Sequence, residues 1–523
     1  MLKLNITNWL LAFLPLFLLL VTMVGLKWSA PKAGILAWVV AGFCGWLFFG
    51  ADGFLLAVAC GKGLSLSLFV LLVIWSAVFL YNLIEQLGAI GVIGNSIARL
   101  AGSRLGQALL LGWAFSGFMQ GIAGFGVPVA VVAPLMLMLG FSPVIAAVSV
   151  LVGHSWAVTF GSMGSSYYTI QLVTGIPGST IGPVMAILFA LPIIATGFCV
   201  AHIEGGWQSV RKGAAAVLIV GLVMSFFVWL MTFLGAAQIA SVVPGLVGCS
   251  IIWLLCKTPL LNGEPNQEPA PRPTGQEYEL SFHLAFLPYY LLIFLTALSQ
   301  LPPLKAAARH LYFGFNYPGL QTSLGYIVQP VNAYAKIRLL NHPAPLILTA
   351  AFLTFLVFLS TGRWKRDAGS AAFKTTVRQC TPTSLGIVTM VMMALIMTNT
   401  GMTEILANGI ASATGLFFPI FSPYIGVLGC FMTGSNTNSN VMFGGLQMQT
   451  ALSLGISPLI IASIQSIGGS LGSAIAPAKV LIGSTLVGLT NREGDVMLKA
   501  IPYCLLIVFL VGLEAWLAVN IFP

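Results

Sequence analysis

Charge is what this sequence has least of. Of 523 residues, 7% are charged: 12 acids and 22 bases. A soluble domain carries roughly 25%. Hydrophobic residues make up 58%, and the mean hydropathy is +0.99. So few charges cannot cover a water-soluble surface of this size. A soluble enzyme and a disordered chain are excluded, and so is a nucleic-acid binder, despite the net charge of +10. The eight cysteines (Cys44, Cys60, Cys199, Cys249, Cys256, Cys380, Cys430 and Cys504) form no CxxC or CxxH pair, and most sit inside apolar runs. They read as small buried hydrophobes. The five histidines show no HExxH spacing, and no GxxxxGK[ST] phosphate loop is present. An ATP-driven pump is therefore not expected from this chain, nor are a cofactor or a metal.

What is present is a series of long apolar runs. A helix rises about 1.5 Å per residue, so about 20 residues cross a bilayer core. The sequence predicts full spans near 8–26, 33–50, 64–82, 180–203, 213–234, 242–256, 282–299, 344–360, 383–400 and 500–520. The first run follows only Lys3 and has no small-residue cleavage site, so it reads as a retained span. Residues 105–140 and 421–455 are apolar but interrupted in the middle. Residues 142–175 and 457–490 are too long for plain spans and are broken by Gly, Ser and Pro. The expected fold is an all-α polytopic membrane protein with about 12 full spans plus two re-entrant hairpins. A polar, Pro-rich linker at 257–281 separates an N-terminal half, 1–256, from a C-terminal half, 282–523.

The basic residues read first as sidedness signals. Arg363, Lys365, Arg366, Lys374 and Arg378 mark 361–381 as cytoplasmic, and Arg99, Arg104, Arg211 and Lys212 read the same way. The connector 300–343 then falls outside. Asp52, Glu85 and Glu404 lie near span ends and read as interfacial.

An internal repeat is visible. Phe118-Met119-Gln120-Gly121 and Leu139-Gly140-Phe141-Ser142-Pro143 recur as Phe431-Met432-Thr433-Gly434 and Leu454-Gly455-Ile456-Ser457-Pro458. Downstream, Gly153 and Ser155 pair with Gly468 and Ser470. The loop before the first hairpin carries Arg99 and Arg104, while its counterpart at about 402–420 has no Lys or Arg. One span earlier the bias reverses, so the copies are expected to be inverted, an arrangement typical of secondary transporters.

The interruptions carry the chemistry. The first reads Gly121-Ile122-Ala123-Gly124-Phe125-Gly126-Val127-Pro128 and the second Gly434-Ser435-Asn436-Thr437-Asn438-Ser439-Asn440. Such residues are costly facing lipid. They fit half-helix ends that line a wet cavity, where free N–H groups and the positive helix end suit an anion. They also fit close packing of small residues between helices. Of the ionisable groups inside apolar runs, Lys479 reads either as a countercharge for a carboxylate or as a side chain snorkelling to the interface. His154 reads either as a proton carrier or as a hydrogen-bonded structural histidine.

At these motifs the sequence resembles the L-lactate permease family. Residues 121–130 match a G-x-A-G-F-G-x-P-V-A hairpin, and 434–444 (GSNTNSNVMFG) match a G-S-[DN]-T-x-S-N-x-x-F-G segment. The resemblance covers most of the chain and is weakest over 257–340. It implies a bacterial-type inner-membrane importer of lactate and similar 2-hydroxymonocarboxylates such as glycolate, coupled to protons, in which a hairpin-bearing unit moves against a scaffold. On that reading the substrate-binding set is Gly121, Gly124, Phe125, Gly126, Ser155, Ser435, Asn436, Thr437, Asn438, Ser439, Asn440, Ser470 and Lys479, with His154 the proton-coupling candidate.

The departures from the family pattern matter. Gln120 and Asn436 are amides where relatives often carry acids. The stretch that would read N-T-A-P-V-A-F-G is His154-Ser155-Trp156-Ala157-Val158-Thr159-Phe160-Gly161. A lysine expected near Ser473 is absent, and Lys479 follows six residues later. Another small anion (acetate, a sulfonate), coupling to Na⁺ or a passive anion channel remain the alternatives. A membrane-embedded enzyme lacks a clustered catalytic set.

Overall fold

The computed structural model describes residues 4–100, 102–124, 126–261, 280–489 and 491–521. Among these, 11 helices are long and apolar enough to cross a membrane, or 12 if the bent pair Pro143–Ala157 and Gly161–Thr174 counts as one span. The polytopic all-α architecture is as expected. Side chains exposed on these helices are themselves apolar, among them Phe43, Trp46, Leu222 and Phe226. Lipid, not water, suits such a surface.

Several spans differ in extent. The span expected at 64–82 is the centre of a 34-residue helix, Gly53–Gln86, capped by Asp52, whose carboxylate accepts from the Leu55 N–H at 2.7 Å. Those expected at 180–203 and 213–234 are arms of one helical run, Gly178–Phe233, whose backbone leaves the helix at Gly205 and Gly206. Most of the linker, 262–279, lies outside the described residues.

The connector 300–343 is not a plain loop. It holds a helix, Pro302–His310, and an antiparallel ladder of Tyr312–Tyr317 with Val331–Arg338. A shorter pair, Leu320–Gln321 with Ile327–Val328, lies within it. Aromatic and β-branched residues favour strands, but these runs are far too short to register as spans. The ladder sits at one end of Gly53–Gln86, where Tyr317 Oη and Ser65 Oγ are 2.7 Å apart and the Ser323 N–H donates to the Gly50 carbonyl at 2.8 Å. The basic loop sits at the other end, where Lys365 donates to the Gln86 carbonyl at 3.1 Å.

Two long helices form a frame. Gly53–Gln86 and Ala368–Asn399 run antiparallel, cross-linked by Lys62 to Asn399 Oδ1 (3.3 Å), Trp75 to Ser384 (2.9 Å) and Asn82 to Thr376 and Gln379 (3.0 Å each). Gly63 permits the approach: a Cβ there would stand 3.0 Å from the Met392 Cα. Interhelical hydrogen bonds in membranes are worth about 0.6 kcal/mol each, so packing carries most of this contact.

Each frame helix is followed by a short helix (Ala89–Ala98; Met402–Thr414), a helical hairpin and a broken segment. The first hairpin comprises residues 104–122, helical throughout with a π-type stretch Ala108–Phe115, and the helix Val127–Met138. Its base is tied by Arg104, which donates to the Leu139 and Gly140 carbonyls at 3.0 and 2.8 Å and lies over the Phe141 ring at 3.8 Å. Arg104 is thus more than a sidedness signal. The second hairpin pairs Phe418–Thr433 with Asn436–Leu454, antiparallel. Ser439 donates to the Gly426 carbonyl at 2.8 Å and Gln447 to the Ser422 carbonyl at 3.0 Å. At its base Ser453 donates to Asn408 at 2.6 Å.

Candidate functional site

The two interruptions meet. Gln120 and Gly124 from the first hairpin and Gly434, Ser435, Asn436 and Thr437 from the second line one cavity of about 50 Å³. A single water needs roughly 10–15 Å³ on this measure. The cavity therefore suits a few waters or one solute of a few heavy atoms, not a sugar or a nucleotide. The broken segment of the N-terminal half adds Val158, Ser162, Ser165 and Ser166; the C-terminal one adds Lys479; the frame helices add Ile74, Thr383 and Ile387.

Local sequence explains how these groups converge. Ser162, Met163 and Gly164 all have positive φ (47°, 55° and 79°), a reversal rare for side-chain-bearing residues. It lays Ser162 Oγ against Gly124, so a Cβ at Gly124 would push that hydroxyl aside. Gly434, at φ +70°, ends one hairpin helix, and Ser435 begins the next by accepting from the Asn438 N–H at 3.4 Å. The helix Asn436–Leu454 therefore starts at the cavity and presents its positive end there.

Behind the cavity lies a buried polar lattice. Asn436 Nδ2 donates to Thr159 Oγ1 (3.0 Å) and to the Ser466 carbonyl (3.1 Å). Asn440 Nδ2 donates to the Ser166 carbonyl (3.0 Å) and to Ser466 Oγ (2.9 Å). Carbonyls only accept, so these contacts fix which end of each amide faces them. Ser166 and Thr437 hydroxyls stand 3.0 Å apart. The lattice ties the second hairpin to both broken segments.

Lys479 is the one cationic side chain on the cavity wall among the described residues. It is 5% exposed, in the first turn of the helix Pro477–Leu486, and has no acidic partner among the described residues. Taking an ammonium out of water costs several kcal/mol unless an anion compensates. A second opening, of about 240 Å³, shares Thr383, Gly434, Ser435 and Lys479 and also takes in Asn438.

The remaining residues expected at the site stand off its wall. Gly121 packs on the Ser241–Val242 backbone, and Gly126 (φ +86°) faces Ile482. The Ser155 hydroxyl donates to the Val152 carbonyl at 2.7 Å, and Ser470 donates to the Ser155 carbonyl at 2.6 Å. Ser439 and Asn440 serve the helix contacts given above. Phe125 lies outside the described residues. His154 is fully buried, and its Nδ1 is 2.6 Å from the Val150 carbonyl, while Nε2 has no partner among the described residues. Sequence reasoning missed Ile74, Thr383 and Ile387 altogether, and counted Gln120 as a departure without placing it at the site.

Residues 8–522 match the family described as L-lactate permease. The chain belongs to the L-lactate permease family. Its similar curated proteins include the L-lactate permease of Bacillus subtilis (strain 168), 28% identical over 86% of this chain and 84% of that protein. The glycolate permease of Escherichia coli (strain K12) is 27% identical over 98% of this chain and 96% of its own. The L-lactate permease of the same strain is 29% identical over 84% of this chain and 82% of its own. With its apolar helices, this member of the family is a multi-pass plasma-membrane protein of bacterial type.

Proposed function

We propose that this permease is a secondary carrier that imports L-lactate and related 2-hydroxymonocarboxylates such as glycolate, coupled to protons. Lys479 is the observation that carries the reading: a buried ammonium without an acid, facing a cavity sized for a few heavy atoms. A carboxylate supplies the missing charge, and the positive ends of two helices favour it further. The hydroxyls of Ser162, Ser165, Thr383 and Ser435 offer donors and acceptors to a 2-hydroxyl. One cation calls for one carboxylate, so a dicarboxylate has no second partner on this wall.

Alternating access fits the division of that wall. Hairpin tips and broken segments form one side; the frame helices form the other. A further cavity of about 80 Å³, with Val391, Thr398 and Glu404, lies nearer the end of Ala368–Asn399 away from the basic loop. Ser166 and Thr437, whose hydroxyls touch, line the Lys479 cavity, and Val173 and Val441 further along the same two helices line the other. Sliding of the hairpin-bearing unit along the frame would join the site to one side and then the other. The matching order of elements after two antiparallel frame helices supports an inverted repeat as its basis.

The test is uptake of labelled L-lactate and glycolate into proteoliposomes, with imposed proton or Na⁺ gradients. Accumulation against a gradient driven by protons is expected. Entry that only equilibrates would make the protein a passive channel, and no entry of either acid would reject the reading.

A further inference from the structure

We infer that Ile74 and Ile387, contributed by the two frame helices, form the wall that limits the length of the substrate's apolar end. The inference rests on the transport reading above and adds to it the residues that set chain length.

The frame-helix side of the cavity carries Ile74 and Ile387, and the hairpin tips and broken segments carry most of its polar side chains. Lys479, Gly434, Ser435 and Thr383 belong both to it and to the second opening. Ile74, Ile387 and Val158 belong to the first cavity alone, where they face the polar Gln120, Ser162, Ser165, Ser166, Asn436 and Thr437. The cationic side is thus the mouth, and the branched apolar side chains stand deeper. An acid entering through that mouth keeps its carboxylate at Lys479 and turns its other end toward the isoleucines. Ile74 is 2% exposed and Ile387 1%, with Val158 at 6%. Their helices are pinned to one another by the Trp75–Ser384 bond beside this level and by the Asn82–Thr376 and Lys62–Asn399 bonds on either side of it. A wall held in that way does not retreat easily before an extra methylene. Close-packed interiors accept added volume only at the cost of displaced side chains.

The consequence is a short limit on substrate length. Glycolate leaves the apolar end empty, lactate puts one methyl there, and 2-hydroxybutyrate adds a carbon. One methylene in an apolar pocket changes selectivity by roughly 10–200-fold. Ile387→Ala removes three carbons from the wall and makes room for the longer acid. Ile387→Phe fills the space that the lactate methyl takes.

The experiment measures competition by unlabelled acids against labelled glycolate uptake, in proteoliposomes holding equal amounts of each variant. Wild type is expected to prefer lactate to 2-hydroxybutyrate. Ile387→Ala is expected to shift that ratio toward 2-hydroxybutyrate by about tenfold or more, with Ile74→Ala acting in the same direction. Ile387→Phe is expected to keep glycolate and lose lactate. Ile387→Val, a one-carbon change, gives the same direction with less risk to folding. If these variants carry glycolate with the wild-type ratio, within twofold, the wall lies elsewhere and the inference is overturned. A wild-type protein that carries none of the three acids overturns the transport reading, and the inference with it.

Discussion

Ser470 donates its hydroxyl to the backbone carbonyl of Ser155 at 2.6 Å, and the Thr159 N–H donates to that same serine oxygen at 3.2 Å. The repeat pattern pairs these two serines across the halves of the chain, and here they touch. The glycines paired with them behave alike. A Cβ on Gly153 would meet the Gly112 carbonyl carbon at 2.7 Å, and one on Gly468 the Pro423 carbonyl carbon at 2.7 Å. In both halves the obstructing residue lies on the entering helix of that half's own hairpin.

Equivalent glycines should give equivalent defects. What stands in the way is backbone, which cannot swing aside as a side chain does. Gly153→Ala and Gly468→Ala are each expected to cost about 1–3 kcal/mol through overpacking. Both should lower the melting temperature of the detergent-purified protein. Unchanged melting in both would mean that the broken segments are not clamped to the hairpins.

Charge removal at the cavity tests the anion site. Lys479→Met keeps the volume of the side chain and removes its charge. Truncating one partner of a buried charge pair costs about 2 kcal/mol or more, thirtyfold in affinity. Lactate uptake should fall by at least that factor while membrane insertion is kept. Uptake within threefold of wild type would place the carboxylate elsewhere.

Legibility followed chemistry. The strings Gly121–Pro128 and Gly434–Asn440 were readable because small and polar residues have no cheap place in lipid, so the hairpin tips stood out. Lys479 stood out for the same reason. Ile74, Thr383 and Ile387 did not, because a threonine or isoleucine inside an apolar helix looks like every other lipid-facing or core position. Their role depends on the antiparallel fit of two helices some 300 residues apart in sequence, as the Trp75–Ser384 bond shows. Matched polar residues at a break suggest ligands, but burial turns the paired serines to one another. The strands at 312–338 escaped notice because they are short and only alternately apolar.

Substitutions in the buried lattice should separate binding from assembly. Asn436→Leu leaves the Ser466 carbonyl and the Thr159 hydroxyl without the amide donor they now share. Those two still bond to each other, Thr159 Oγ1 donating to the Ser466 carbonyl at 2.9 Å, so the loss is that of two hydrogen bonds, about 0.5–1.5 kcal/mol each. Ser435→Ala removes a helix cap, worth about 1 kcal/mol, and with it a hydroxyl on the cavity wall. Both are expected to insert normally and to lose uptake, with Asn436→Leu also melting lower. Normal uptake by both would remove the second hairpin from the site.

Arg104 closes the base of the first hairpin with two hydrogen bonds and its contact with Phe141. The group is partly solvent-facing, so the expected contribution is about 1–2 kcal/mol, below that of a fully buried charged bond. Arg104→Gln should increase proteolytic cleavage near 139–141 in detergent and reduce uptake. Arg104→Lys, able to reach only one carbonyl at a time, should fall between. Equal protease resistance in all three proteins would assign Arg104 to sidedness alone.

His154 bears on coupling. The Val150 carbonyl only accepts, so the ring nitrogen 2.6 Å from it, Nδ1, carries a proton. Nε2 is then the acceptor of the neutral ring, buried and without a donor among the described residues. A group so arranged has one open place for a proton, and it sits immediately before Ser155 in the segment that leads to the cavity. His154→Gln cannot titrate. Exchange of labelled for unlabelled lactate across the membrane requires only that the loaded carrier reorient, so exchange should persist within a few-fold. On the proposed proton coupling, net accumulation under an imposed inward proton gradient requires the proton itself, and should be lost. If accumulation survives at the wild-type level, the proton passes by another group and His154 holds the end of its helix. If exchange and accumulation fall together while the protein inserts normally, His154 supports the fold of the site and is not its proton carrier.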